Sequence, residues 1–207
     1  MSENNDYIWA VLYNTIGNEN GTAGLMGNLQ AESGLVSYRL QGDFTTGYTK
    51  SISYTDAVNS GAITKAEFIS DAQGYGLAQW TYSTRKEALY DYWKNSGYAS
   101  IGDVRMQTAF LLQELQNSYS GVYSTLQTAP DILTASNKVL FDFENPQEQG
   151  PTVQAYRLAL STALYNELAT GEPVPIPVPD PSLPPELPTW LPGAVQDLLR
   201  RGVIYKH

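Results

Sequence analysis

Thr22-Ala23-Gly24-Leu25-Met26-Gly27-Asn28-Leu29-Gln30-Ala31-Glu32-Ser33-Gly34 is the stretch on which the fold turns. It predicts a helix that begins near Thr22, runs to Glu32 and is stopped by Ser33-Gly34. Gly24 and Gly27 each cost about 1 kcal/mol relative to Ala inside a helix. Close packing against neighbouring elements offsets such a cost, so this helix is expected in the centre of the molecule. Its one charged residue in that run, Glu32, falls at the C-terminal end, just before a loop. The negative end of the helix dipole disfavours ionisation there, and partial burial acts in the same direction. A carboxyl in that position is suited to holding a proton near neutral pH. Against this stands the ordinary alternative of a solvated helix-terminal Glu, which position alone does not exclude.

Outward from that helix the pattern stays mainly α. Asn5 or Asp6 caps a first helix through about Ile16, with Ile8, Trp9, Leu12 and Ile16 on one face, and Gly17 to Gly21 break the chain. Residues 35–72 read as irregular, with a small hairpin expected over Tyr48 to Tyr54 and helical turns over 56–60 and 64–69. Helices follow over 84–95, 103–118, 131–143 and 151–169. The expected architecture is a mainly α, α+β bundle around a central helix, with a small β-containing lobe, in a domain of residues 1–170. Eight prolines between Pro173 and Pro188 predict an extended spacer over 171–188. Residues 189–207, from Thr189-Trp190 onward, carry Ala194, Val195, Leu198 and Leu199 at helical spacing. They are too few for a core of their own; they either pack back as a docking helix or, through a resemblance to the opening of an S-layer homology repeat, begin a wall-anchoring module.

Composition narrows the chemistry. Of 207 residues, 42% are hydrophobic and only 16% charged, with 15 Tyr and 4 Trp, which fits a packed core and aromatic faces for sugar rings rather than a disordered chain. A net charge of −9 argues against nucleic acid, whose phosphates need Lys and Arg. There is no Cys, and the one His is His207, so Cys nucleophiles, Ser-His-Asp triads and His-rich zinc sites fall away. Acid–base work is left to Asp and Glu, with no metal and no cofactor expected. No apolar run reaches the roughly 20 residues of a membrane span, and no signal peptide is read at the N-terminus. The expectation is synthesis in the cytoplasm and no membrane insertion; oligomeric state is not legible.

A second stretch, Gly74-Tyr75-Gly76-Leu77-Ala78-Gln79-Trp80-Thr81, sets two glycines around an aromatic and then offers an amide and an indole. It reads as a segment whose backbone approaches a ligand, with Gln79 bonding N-acetyl or hydroxyl groups and Tyr75 or Trp80 stacking on a sugar. The competing reading is a buried Gly-rich turn beneath a core Trp.

Together, Gly27 to Leu35 and, some 40 residues later, Gly74 to Thr81 with Arg85 resemble the phage tail lysozyme family, within the wider group of goose-type lysozymes and soluble lytic transglycosylases. The resemblance spans about residues 5–169. It implies that the first segment is the catalytic helix with Glu32 as its acid, and that Gly76, Gln79 and Trp80 line the groove. Softer matches are Ser100 to Asp103 with Gln107, Phe110 and Glu114-Leu115, and Phe143-Glu144-Asn145-Pro146 with Arg157. Both sets are read as structural.

The second carboxylate is open at this point. An inverting glycosidase needs a base about 6.5–9.5 Å from the acid and a retaining one a nucleophile about 5–5.5 Å away. Asp43, Asp56, Glu67 and Asp71 lie in the segment expected to wall the groove, and Asp71 and Asp56 are the preferred candidates. A lytic transglycosylase needs no second carboxylate, because the substrate's 6-hydroxyl closes an anhydro ring. Asp142, Glu144 and Glu148 form an acidic cluster, read as a solvated loop rather than a cation site. The function expected is cleavage of a β-1,4 bond in peptidoglycan by a muramidase-like hydrolase acting at the cell wall, holin-released or virion-associated. The alternatives are a lytic transglycosylase on the same bond and a non-catalytic wall-binding module.

Overall fold

The computed structural model describes residues 3–169, so the spacer expected over 171–188 and the segment 189–207 lie outside the described residues. Nine α-helices carry the described chain: α1 Glu3–Ile16, α2 Glu19–Ser33, α3 Thr49–Ser60, α4 Lys65–Ser70, α5 Ser83–Ser96, α6 Val104–Ser118, α7 Ser120–Thr128, α8 Ile132–Val139 and α9 Pro151–Leu168. A π-helical turn, Leu140–Glu144, follows α8 directly. The mainly α architecture read from the sequence is the one observed.

Helix α2 is the axis of the molecule. Every residue from Gly21 to Ala31 is buried, and α1, α7, α8 and α9 pack around it. The glycines make that possible. A Cβ on Gly24 would stand 2.5 Å from Ala135 Cβ, and one on Gly27 only 2.6 Å from the backbone of Ser161. Helix α2 also begins earlier than expected, at Glu19, because the Asn18 side chain accepts a hydrogen bond from Gly21 N and supplies the cap. In α1, Ile8, Trp9, Leu12 and Ile16 are all buried, as their spacing predicts.

The segment after α2 departs from expectation. The hairpin expected over 48–54 is the start of α3, whose buried face is Ser51, Thr55 and Val58 at helical spacing. Helix α7 was not anticipated. Extended pairing among the described residues is confined to isolated bridges, Leu40 with Tyr75 and Tyr75 with Trp80. Those bridges draw residues 39–41 and 74–80 together beside the C-terminal end of α2, through Gln41 N to Gly74 O and Gly76 N to Arg39 O, both 2.8 Å.

Candidate active site

Helix α2 ends in a left-handed Gly34 whose N–H bonds Gln30 O at 3.0 Å. Two residues before that cap, the Glu32 side chain keeps 11% of its surface exposed. Ser33 donates to Leu77 O at 2.8 Å and so ties the end of the helix to the Gly74–Thr81 segment. Within that segment Gly76 is left-handed, with φ of 79°, and a Cβ there would meet Gln107 Oε1 at 2.5 Å. The same Gln107 oxygen accepts from Leu77 N at 2.9 Å, while its amide donates to Ile101 O. A larger residue at 76 would break this brace, which is why the chain carries glycine here.

Glu32 opens onto a cavity of about 430 Å³ whose walls include Arg39, Phe44, Gln79, Tyr82, Arg85 and Glu144. That volume falls in the usual range for a small-ligand site. Gln79 adopts a left-handed φ of 43°, held there by its Nε2, which donates to Arg39 O and Gly76 O. Phe44 is 45% exposed and Tyr82 68% exposed, so aromatic faces meet solvent in the walls. The stacking role expected of Tyr75 and Trp80 does not match their placement. Both are fully buried: the Tyr75 hydroxyl pairs with Thr55, and Trp80 Nε1 donates to Glu114 at 3.0 Å. Of the residues expected to bind substrate, Gln79 is in the wall, while Gly76, Tyr75 and Trp80 shape it from behind.

The structure brings a different set of charges to Glu32 than the one expected. Arg157 of α9 donates from Nη2 to Glu32 Oε1, and from Nη1 to Asn28 Oδ1 at 3.0 Å. Asn28 is itself fixed, its amide donating to Gly24 O and to Ser136. Neither Asp56 nor Asp71 is among the residues lining this cavity. Asp56 sits on the exposed side of α3. Asp71 caps the end of α4 and accepts from the buried Lys86 Nζ, from Tyr54 and from Gln73 N. Asp43 is buried as well, spent on Thr45 and Ser51, and Glu67 completes the capping box of α4.

The carboxylate that does share the cavity with Glu32 is Glu144, taken in the sequence for part of a solvated acidic loop. Its neighbours conform to that reading, Asp142 pairing with Lys138 and Glu148 being exposed. Glu144 itself closes the π-helical turn, and the left-handed Asn145 after it, φ 45°, returns its N–H to Leu140 O at 2.9 Å. Its Oε1 is sealed from solvent without a hydrogen-bond partner. Burial first, and then the charge of Glu32, push the Glu144 carboxyl up to about 8, against the pull of Arg85 and Arg157. Arg85 is occupied by a two-pronged pair with Glu114, at 2.7 and 2.9 Å, and lies over the Phe143 ring.

A half-buried carboxyl at the end of a glycine-packed helix, a braced Gly-rich wall and an aromatic-sided cavity thus stand together. The phage tail lysozyme family model matches residues 3–168. The chain belongs to the phage tail lysozyme family. Comparison with curated proteins and with solved structures returns no match. Family membership gives the chain a lysozyme-like, peptidoglycan-lytic function at the cell wall. Among the described residues no helix is long and apolar enough to cross a membrane, and no group of three or more His, Cys, Asp or Glu is placed to hold a metal ion.

Proposed function

We propose that this member of the phage tail lysozyme family cleaves the β-1,4 bond between N-acetylmuramic acid and N-acetylglucosamine, with Glu32 as general acid and then base. The observation that carries the reading is the Glu32 side chain at the edge of the cavity, on a helix buried along most of its length and bonded to Arg157. Such fixed placement beside a sugar-sized space is what proton transfer to a glycosidic oxygen requires. Phe44 and Tyr82 supply faces for pyranose rings, and Gln79 meets their polar substituents. Release by a holin or carriage on a virion brings the protein to its substrate.

A second reading, lytic transglycosylase on the same bond, is favoured by the placement of Asp56 and Asp71 away from the cavity. Attack by the substrate's 6-hydroxyl needs neither of these carboxylates beside the scissile bond. Mass spectrometry of the released muropeptides separates the readings: reducing ends mean hydrolysis, 1,6-anhydro ends transglycosylation. The test of the shared reading is Glu32→Gln in a turbidity assay on purified walls. Loss of at least about 100-fold in rate is expected for removal of a general acid, with binding to walls retained. Lysis at the wild-type rate would remove Glu32 from its role, and wall binding by wild-type protein without any new chain ends would make the domain a binding module.

A further inference from the structure

Glu144 is the one carboxyl that lines the cavity with Glu32 yet has an oxygen sealed from solvent and bonded to nothing. An orphaned buried carboxylate is costly, and a neutral carboxyl relieves most of that cost. The surroundings leave it no cation of its own. On α2, Glu32 is the like charge that bears on it most strongly; on α9, Arg157 is committed to Glu32 and Asn28; on α5, Arg85 is committed to Glu114 of α6. Asp142, in the same π-helical turn, is tied to Lys138 of α8, and the Tyr119 ring packs edge-on against Phe143. The left-handed Asn145 ends the π-helical turn directly after Glu144.

We propose that Glu144 is a positioning residue of the cleavage site, sharing a single proton with Glu32: Glu144 holds it at rest, and Glu32 delivers it to the leaving oxygen. The proposal rests on Glu32 being the acid. It answers a difficulty of that reading, since the guanidinium bonded to Glu32 is not itself a source of the proton that the leaving oxygen needs. Two carboxyls that line one cavity bear one negative charge between them more readily than two. The proton passes from Glu144 to Glu32 and on to the glycosidic oxygen. The bond between that oxygen and C1 breaks, with its electron pair going to the oxygen. Water, or the 6-hydroxyl in the transglycosylase case, then bonds to C1 and returns its proton to the pair.

The test combines carbon NMR of the glutamate side-chain carboxyls with the pH profile of wall lysis. In the wild type one Glu carboxyl is expected to titrate near pH 8. That signal is assigned by its loss in Glu144→Asp, and it moves to lower pH in Glu32→Gln, where the repelling charge is gone. Lysis by the wild type falls on the alkaline side near pH 8. In Glu144→Gln that limb moves toward acid by a unit or more, and Glu144→Asp restores part of it. A wild type in which every Glu carboxyl titrates below pH 6 overturns the proposal, as does a Glu144 signal unmoved by Glu32→Gln. So does a Glu144→Gln profile that superimposes on the wild type. The titrations stand whether or not the protein cleaves walls, so failure of the cleavage reading is visible separately, as absent chain ends at every pH.

Discussion

Arg157 and Glu32, 125 residues apart, meet as an ion pair in which only 5% and 11% of the side-chain surfaces remain exposed. The pair joins the last described helix to the second, and it does so at the C-terminal end of α2, away from the Glu19 of its first turn. Breaking such a pair from one side leaves a buried charge without its partner, at a cost of about 3–5 kcal/mol. Arg157→Ala is therefore expected to lower unfolding free energy by about 3 kcal/mol in urea titrations at pH 7. The double variant Arg157→Met with Glu32→Gln loses less than Arg157→Ala alone, because no lone charge is left. Equal losses would mean that Arg157 matters here through its bonds to Asn28 and not through Glu32.

The exposed aromatic faces give a prediction of a different kind. Tyr82 and Phe44 line the cavity while 68% and 45% exposed, and the Arg39 guanidinium lies over the Phe44 ring at 5.1 Å. Neither ring is part of the buried core, so removing it takes little from stability. Tyr82→Ala and Phe44→Ala should each raise KM for glycan fragments about 3- to 10-fold, the equivalent of one stacking contact. The expected kcat and melting temperature stay near those of the wild type. A fall in kcat with KM unchanged would assign these rings to something other than sugar binding.

What the sequence shows and what it hides divide along physical lines. Helix α2 is legible because its small residues, its glycines and its terminal Glu32 are consecutive, so the packing demand is written locally. Helix α3 is hidden because Ser51 and Thr55, two of its buried positions, are polar and Thr favours strands, while Tyr48, Ile52 and Tyr54 fall on alternate positions as in a hairpin. The Gly74–Thr81 segment is recognisable, but which way its rings face is decided by the Tyr75–Trp80 bridge and by Thr55 and Glu114, which are distant in sequence. Glu144 looks like its neighbours Asp142 and Glu148. Only the π-helical turn, set by a hydrogen bond between Asn145 and Leu140, turns it inward.

Asp43 makes stability depend on acid pH. Burial alone would raise its carboxyl, but hydrogen bonds from the side chains and backbone of Thr45 and Ser51 outweigh that and bring it down to about 2. A depressed carboxylate contributes stability that is complete above its unfolded value near 3.8 and is lost as pH falls through the folded value. Asp43 is only 1% exposed, and its contribution is about 2 kcal/mol. Chemical denaturation should show wild-type stability falling between about pH 4 and pH 2, with Asp43→Asn already lower at neutral pH and flatter across that window. A variant with the wild-type slope would place the acid sensitivity elsewhere.

The crossing of α2 and α9 depends on Gly27 having no side chain, and this can be set against the intrinsic preference of helices for alanine. By propensity alone Gly27→Ala gains about 1 kcal/mol. The added Cβ, however, would lie 2.0 Å from Ser161 Oγ and 2.6 Å from Ser161 N and Cα. Two of those atoms are backbone, so no rotamer change relieves the contact, and overpacking of this kind costs about 1–3 kcal/mol or more. Net destabilisation of about 2 kcal/mol is expected, read as a lower urea midpoint with unchanged slope. Gly121→Ala is the control, since Gly121 lies exposed in the first turn of α7 with nothing within 4 Å of the new Cβ. It should be neutral or stabilising by up to about 1 kcal/mol. Activity adds a second readout. Ser161 donates to Arg157 O at 2.8 Å, one turn along α9, so pushing α9 away from Gly27 also draws Arg157 off Glu32. Gly27→Ala is thus expected to lose lysis even at temperatures where it stays folded, and full activity in the folded variant would show that the site tolerates a shift of α9.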